Sequence, residues 1–228
     1  MKILILTAFH HRPEISRLYW MGIERLREKF NVETLAVCSD KENIKLAGSW
    51  SDYTIETENY PLGRKHNAGL IASLKIDYDH LMQLGSDNLI CNELMGMYQV
   101  LDKEFFGTNN LLVIDAKTKE TKQKKYFHIF GAGRMLRKDV ILECVYYKRE
   151  RMYLWDDCLN SGLDYNSEMK FAQMGYLPFE VKTKNPMVID VKSEVNIWPF
   201  DKMDGNSYPF KDLQKTISEA EYKYLMSL

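Results

Sequence analysis

The sequence has little of what marks several protein classes. Its four cysteines, Cys38, Cys91, Cys144 and Cys158, form no C-x-x-C pair, which excludes a disulfide scaffold and offers no zinc spacing. They are expected as free, buried thiols of a reducing compartment, so the expected location is cytoplasmic. Six prolines and twelve glycines among 228 residues exclude a collagen-like fibre or a disordered, linker-rich chain. An excess of one charge is absent too: 31 Lys+Arg stand against 32 Asp+Glu, a formal net charge of -1. A nucleic-acid partner is therefore not expected. No apolar run reaches the ~18 residues of a membrane span. The opening MKILILTAFHHRPE has a single lysine, a short apolar run and no small-residue cleavage site, so no signal peptide is expected. What remains is ordinary for a globular protein, 45% hydrophobic and 28% charged, and long enough for one domain of ~100–200 residues with a small appendage.

The first half alternates strand-like and helix-like segments. The run from Lys2 to Thr7 is apolar between polar ends, the pattern of a strand buried on both faces. Ile15, Leu18, Tyr19, Gly22, Ile23, Leu26 and Phe30 follow at helical spacing behind Pro13. Val32 to Cys38 is a second strand, closed by Ser39-Asp40. Leu70, Ile71 and Leu74 mark a helix beginning near Asn67, and Tyr78 to Leu84 is a strand ending at Gly85-Ser86-Asp87-Asn88. Such alternation with short connections implies an α/β fold whose central sheet is mostly parallel and flanked by helices. The second half is mixed. Leu111 to Ala116 and Tyr126 to Phe130 are expected strands around KTKETKQKK. That stretch is expected to be a solvated hairpin loop, not a patch for an anionic partner, because it contains Glu120 and the chain is near neutral. A helix from Asp164 to Gly175 is expected to turn Met169, Phe171 and Ala172 inward, with Gly175 as its stop. Leu177 to Val181 and Met187 to Val191 are further expected strands. Ser218-Glu219-Ala220-Glu221 is a capping box opening a last amphipathic helix.

In an open parallel sheet, ligands bind beyond the carboxyl ends of the strands. Three polar clusters fall there: Thr7-Ala8-Phe9-His10-His11, Ser39-Asp40 and Gly85-Ser86-Asp87-Asn88. A carboxylate at Asp87 beside small residues suits Mg2+ or Mn2+, which takes one or two carboxylates together with diphosphate oxygens. The same residues also make an ordinary turn. In PLGRKHNAGL, Gly63 and Gly69 bracket Arg64, Lys65, His66 and Asn67 ahead of an apolar helix. Amides at a helix start with two cations nearby suit a phosphate, although the spacing is neither a Walker loop nor a dinucleotide fingerprint. His10 and His11 are expected to be solvated. Trp198, Phe200, Tyr208 and Phe210, spaced by Pro199 and Pro209, form either a lid over an acceptor or C-terminal packing, and packing is expected.

These segments, in this order, resemble the family-2-like glycosyltransferases of GT-A fold. TLAVCSD carries Asp40 after the second strand, where the family meets the nucleobase. LGRKHNAGL carries Asn67 and Gly69 of a G-x-x-x-N-x-G segment, and MQLGSDNLI matches the DxD-type metal motif. FGAGRMLRKDV looks like the segment that faces the acceptor, with Gly131, Gly133 and Arg134. GLDYNSEMKFAQMGY looks like the helix of the catalytic acid, Asp164 standing twelve residues before Tyr176. The likeness covers residues 1 to 180 and departs from the family in three places. Gly85 replaces the first acid of DxD, Leu163 replaces the Glu before the catalytic Asp, and no histidine follows His128 to complete the metal site. Asp190 or Glu194 is the candidate substitute there.

The resemblance implies a single GT-A-like nucleotide-diphospho-sugar transferase domain over 1–228. Its nucleotide-binding half would be 1–90, its acceptor half 91–185, and 186–228 a C-terminal lid or packing segment. It implies transfer from a nucleoside-diphosphate sugar, a UDP-sugar first, to an acceptor hydroxyl on a glycan, a lipid-linked sugar or a protein. The step would be inverting and assisted by Mn2+ or Mg2+. Thr7, Ser39, Asp40, Arg64, Lys65, Asn67, Ser86, Asp87 and Asn88 would bind the donor, Asp87 would bind the metal, and Asp164 would take the acceptor proton. Apart from the family, Asp164 reads as a helix N-cap, and Asp156 or Asp157 is the alternative base. Two other functions stay open: a non-catalytic sugar-nucleotide-binding or assembly protein, and a nucleotidyltransferase, whose usual glycine-rich loop is missing from TAFHHRPE.

Overall fold

A computed structural model describes residues 1–10, 12–146, 153–193 and 199–228. Four strands run parallel in the order β3-β2-β1-β4: β1 Ile3–Ala8, β2 Val32–Cys38, β3 Tyr53–Glu56 and β4 His80–Gln83. Beyond β4 lie β9 (Arg134–Arg137), antiparallel to it, then β6 (Phe105–Gly107), antiparallel to β9, and β10 (Phe179–Glu180), parallel to β6. Ile3, Leu4, Ile5 and Leu6 are wholly buried because β1 is covered on both faces. Alternation sends Ile3 and Ile5 into one core with Tyr19, Trp20, Ile23 and Leu26 of helix α1 (Pro13–Arg27). Leu4 and Leu6 enter a second core with Leu70 of helix α3 (Leu62–Ser73). Period-2 side-chain alternation and a continuous apolar strand are the same fact seen twice. Helix α2 (Lys41–Ala47) connects β2 to β3.

A second, five-stranded sheet has the order β12-β8-β7-β11-β5. Its strands are β5 Asn88–Ile90, β7 Asn110–Asp115, β8 Thr121–Lys125, β11 Val188–Lys192 and β12 Asn206–Ser207. Leu112, Ile114, Ile189 and Val191 share a third core with Ile15 and Leu18 of α1 and with Leu225 of helix α7 (Glu219–Ser227). Ser218 and Glu221 form the expected capping box. Glu221, 1% exposed, also takes a 2.9 Å ion pair from Arg25, which binds the Ile90 carbonyl as well. One carboxylate thereby starts α7 and ties it to α1 and β5. Helices α4 (Asn92–Gln99), α5 (Lys138–Val145) and α6 (Leu163–Gln173) complete the described α-helices.

Several expectations need correction. Helix α3 begins at Leu62, behind Pro61, five residues before Asn67. The lysine-rich stretch is not a loop: its second half is strand β8, paired antiparallel to β7 from Ile114↔Thr121 to Asn110↔Lys125. Tyr126 to Phe130 is consequently irregular chain leaving that strand. Met169 is 44% exposed, because the inward face of α6 runs Leu163, Ser167, Phe171 at a four-residue step. Cys38, Cys91 and Cys144 are buried free thiols, but Cys158 lies exposed in a turn. Phe200 packs into the first core, and Tyr208 and Phe210 pack against the third. His11, Glu194 and Trp198 lie outside the described residues.

Candidate functional site

Strands β1 and β4 pair in parallel up to Leu6↔Gln83, so the chain after each emerges at one edge. Ala8, His10 and Arg12 meet residues 85–88 there and, with the start of α3, the start of α6, and β8 and β11, line an open cavity of about 570 Å3. Its ionisable residues fall into two groups.

The first group is acidic and cationic. Arg12 reaches across from the β1 loop to Asp87, Nη1 to Oδ2 at 3.2 Å, and to the Ser86 hydroxyl at 3.3 Å. Asn88 accepts the Gly85 N–H at 2.9 Å, closing the turn. That turn explains the missing first acid: a Cβ on Gly85 would stand 2.7 Å from Asn88 Oδ1 and 2.8 Å from Asp87 Oδ1. Strand β5 pairs with β11 so that Asn88 faces Asp190, and Val191 N–H donates to the Asp87 carbonyl. Asp190 is 8% exposed and pairs with Lys192 at 2.7 Å through Oδ2, while its buried Oδ1 has no hydrogen-bond partner among the described residues. Burial, and secondarily the Asp87 carboxylate, pushes the Asp190 carboxyl up against the pull of Lys192. Lys124 on β8 is also buried at this side, bonded to Asp204 at 2.9 Å. Lys65, 1% exposed, donates to Phe9 O at 2.8 Å, Ser39 Oγ at 2.7 Å and Asn59 Oδ1 at 3.1 Å. Burial pushes its ammonium down to about 8.

The second group surrounds Asp164. The N-cap of α6 is Gly162, in a left-handed conformation (φ 68°), so Asp164 is not the cap and instead sits in the first turn. Its Oδ2 accepts the Gly131 N–H at 2.8 Å. A Cβ on Gly131 would be 2.1 Å from Asp164 Oδ1, so this approach requires glycine. Arg134, wholly buried, donates to Ser167 Oγ at 2.5 Å, to Ile129 O at 3.0 Å and to the Asp164 carbonyl at 3.1 Å. It clamps the start of α6 to residues 129–131 and does not line the cavity. His66 and His128 flank the carboxylate. Burial pushes His66 down to about 4 and lowers His128, with Asp164 opposing both shifts. The Nδ1 atoms of both rings are buried without a hydrogen-bond partner among the described residues.

Of the expected donor residues, Lys65, Ser86, Asp87 and Asn88 line the cavity, and so does Asp164. The others lie elsewhere. Thr7 bonds Tyr19 Oη at 2.5 Å, and Ser39 serves Lys65 from below. Asp40 caps α2 through Asn43, whose hydrogen bonds hold the exposed carboxyl below its usual range. Arg64 pairs with exposed Glu58 at 3.0 Å. Asn67 binds Trp155 N, Trp155 O and Asp157 Oδ1, so it clips α3 to the chain before α6. Asp157 is engaged there, and Asp156 accepts the Cys158 N–H. Gly133 takes a positive φ of 79° before β9. The glycines of PLGRKHNAGL serve packing: a Cβ on Gly63 would be 1.9 Å from Asp156 O, and one on Gly69 2.5 Å from Leu6. The first helix amides are also occupied, Leu62 N by Asn160 Oδ1 and Gly63 N by Leu159 O. His10, Arg12, His66, Lys124, His128, Asp190 and Lys192 line the cavity. Of these, Arg12, Lys124, His128 and Lys192 escaped sequence reasoning, although Lys192 shares a strand face with Asp190 two positions before it, a period that a strand makes meaningful.

No known family profile matches the chain, and no curated protein matches it in sequence. Solved structures do. S. aureus TarS superposes with a TM-score of 0.56 at 11% identity, over 85% of this chain and 37% of that one. The fold is GT-A-like. A second structure, TarS 1–349, gives 0.48 at 12% identity over 86% and 59% of the two chains. A CMP:2-keto-3-deoxy-manno-octonic acid synthetase complexed with CTP gives 0.46 at 14% identity over 80% and 91%. The chain thus spans little more than a third of the length of full TarS, and the likeness is one of fold. Among the described residues no helix is long and apolar enough to cross a membrane.

A GT-A-like fold raises the question of a divalent cation. Among the described residues no cluster of three or more His, Cys, Asp or Glu side chains is placed to hold a metal. Asp87, in the turn before β5, and Asp190, on the adjacent β11, nevertheless supply hard oxygen donors, and the buried Asp190 Oδ1 has no hydrogen-bond partner among the described residues. Two carboxylates suffice for Mg2+ or Mn2+ when substrate phosphates and water complete the shell. The residues therefore fit such an ion.

Proposed function

We propose that the protein is a glycosyltransferase that moves a sugar from a nucleoside-diphosphate sugar to an acceptor hydroxyl with inversion. The observation that carries it is a single cavity, at the carboxyl ends of β1 and β4, in which a cation-rich carboxylate group and a separate carboxylate beside two histidines face the same space. Arg12, Lys65, Lys124 and Lys192 would receive the diphosphate. Asp87 and Asp190 would hold the divalent cation, which when bound neutralises charge on the departing diphosphate. Asp164, fixed by the Gly131 N–H, would take the acceptor proton as that oxygen bonds to the anomeric carbon and the carbon–diphosphate bond breaks. The buried His66 and the half-buried His128, both lowered by burial, would add no positive charge to hold the carboxylate. Asp40 caps α2 and lies outside the lining, so its orientation offers nothing to a uracil. Uridine is accordingly one base among several to try.

The test uses uridine, cytidine, guanosine and adenosine diphosphate sugars with Mn2+, reading melting temperature and sugar release to water. At least one is expected to raise the melting temperature and to be hydrolysed. Asp164→Asn keeps the Gly131 contact, so it is expected to retain binding and lose about 10²–10⁴-fold in turnover. No thermal shift with any donor, or full turnover in the variant, would overturn the proposal.

A further inference from the structure

Beside Asp164 the cavity opens onto aromatic rings that no core accounts for. Phe127 is 86% exposed and Tyr165 49% exposed, and their centroids are 6.4 Å apart in an edge-to-face arrangement. His128 lies between them, 4.8 Å from Phe127 and 6.1 Å from Tyr165. Behind it the half-buried Tyr126 and the buried Phe130 lie 5.2 Å apart, so packed rings back the platform. Tyr126, His128, Phe130 and Tyr165 line the cavity, which makes the exposed platform continuous with the space around Asp164. Tyr165 is the next residue after that carboxylate in the first turn of α6.

A large aromatic left in water contributes nothing to the fold, whereas a rigid one is a ready surface for an apolar face. The position beside Asp164 requires that the occupant also present a hydroxyl. His128 Nδ1 is buried, unpartnered and on the same platform, a polar group waiting for a hydroxyl partner. Lys124, whose ammonium sits 4.5 Å above the Tyr126 ring, marks where the platform ends and the cationic group begins. A pyranose ring has both required features: an apolar C–H face to lie on the rings and a rim of hydroxyls for His128 and Asp164. We infer that Phe127, His128 and Tyr165 form an acceptor subsite for a saccharide. The inference deepens the proposed function and rests on Asp164 as the base.

The experiment is saturation-transfer NMR with hexyl β-glycosides of glucose, galactose, mannose and N-acetylglucosamine, recorded without nucleotide on the full chain. Saturation is expected on the ring protons of at least one glycoside. It should weaken by about 2–12-fold per ring removed in Phe127→Ala and Tyr165→Ala, and persist in Tyr165→Trp. Both residues are exposed, so unchanged melting temperatures are expected and serve as the folding control. Saturation confined to the hexyl chain would replace the saccharide with an apolar occupant and overturn the inference. So would ring saturation that survives the double alanine variant, or no saturation with any glycoside. Because no nucleotide is present, these results are separate from a failure of donor binding, which would appear in the thermal shifts alone.

Discussion

Asp87 with Asp190 and Asp164 are carboxylates of one cavity held in contrasting ways. The first two are matched by cations, Arg12 on Asp87 and Lys192 on Asp190, with Lys65 and Lys124 nearby. Asp164 is held by a backbone N–H, and the rings near it are neutral histidines and aromatics. A side crowded with both signs exchanges partners cheaply when a polyanion arrives, since Arg12, Lys124 and Lys192 each have a carboxylate to leave and a phosphate to join. A carboxylate fixed by a backbone donor, with no ion pair on its oxygens among the described residues, keeps a lone pair for a proton. In the proposed reaction this difference would put the leaving group on one side and the nucleophile on the other.

The largest expected effect comes from Gly131→Ala. The new methyl would lie 2.1 Å from Asp164 Oδ1, closer than any tolerated contact, so the carboxylate must swing away. Gly131 has no positive φ, and alanine therefore introduces no backbone strain to confuse the result. Turnover should fall by about 10²-fold or more with nucleotide affinity held within twofold. Equal losses in turnover and nucleotide affinity would mean that the two sides are not separate.

How much of this was legible beforehand depended on what each residue had to touch. The parallel strands were legible because burial on both faces writes an uninterrupted apolar run, and Ile3 to Leu6 is one. Asp87 and Asp164 stood out because strand ends and helix starts are local features. The role of PLGRKHNAGL was not legible, since a glycine that admits Asp156 O or Leu6 looks the same in sequence as one that admits a phosphate. Lys124 was hidden because β8 draws its partners from β7 and β12, and a polar strand has no hydrophobic alternation to announce it. Arg12 reaches Asp87 across 75 positions, a pairing that no local pattern encodes.

A smaller effect sharpens the acidic side. Asp190→Asn removes the oxygen that has no partner but keeps an acceptor for Lys192. The metal-dependent part of nucleotide affinity, measured by calorimetry with Mn2+ and then with chelator, should fall about 10–100-fold. The metal-free part should change little, and turnover at saturating donor should fall less than in Gly131→Ala. Asp87→Ala is expected to show the same split. If both variants bind nucleotide and Mn2+ like the parent, the cation site assigned to these two strands is wrong.

The smallest effect is one of pH, and it tests whether Lys65 is a donor contact or only a tie between loops. Burial pushes its ammonium down to about 8, while an unfolded lysine stays protonated to about 10.4. Between these values the unfolded chain holds the proton and the folded chain does not. By linkage, this group alone makes stability rise with pH from 8 towards 10.4. Affinity for an anionic donor moves the other way, because the charge that attracts it disappears over the same range. A nucleoside-diphosphate sugar of the adenosine type keeps a constant charge from pH 7 to 9. Its affinity should drop about tenfold across that interval, as the protonated fraction of a group titrating near 8 does. Lys65→Met should start at the lower affinity and show no slope. Its folding cost is expected to be small, since Ser39 and Asn59 remain hydrogen-bonded to each other at 2.8 Å. A parent whose affinity is flat from pH 7 to 9, or a Met variant that keeps the slope, would leave Lys65 as a structural tie and move the diphosphate towards Arg12, Lys124 and Lys192.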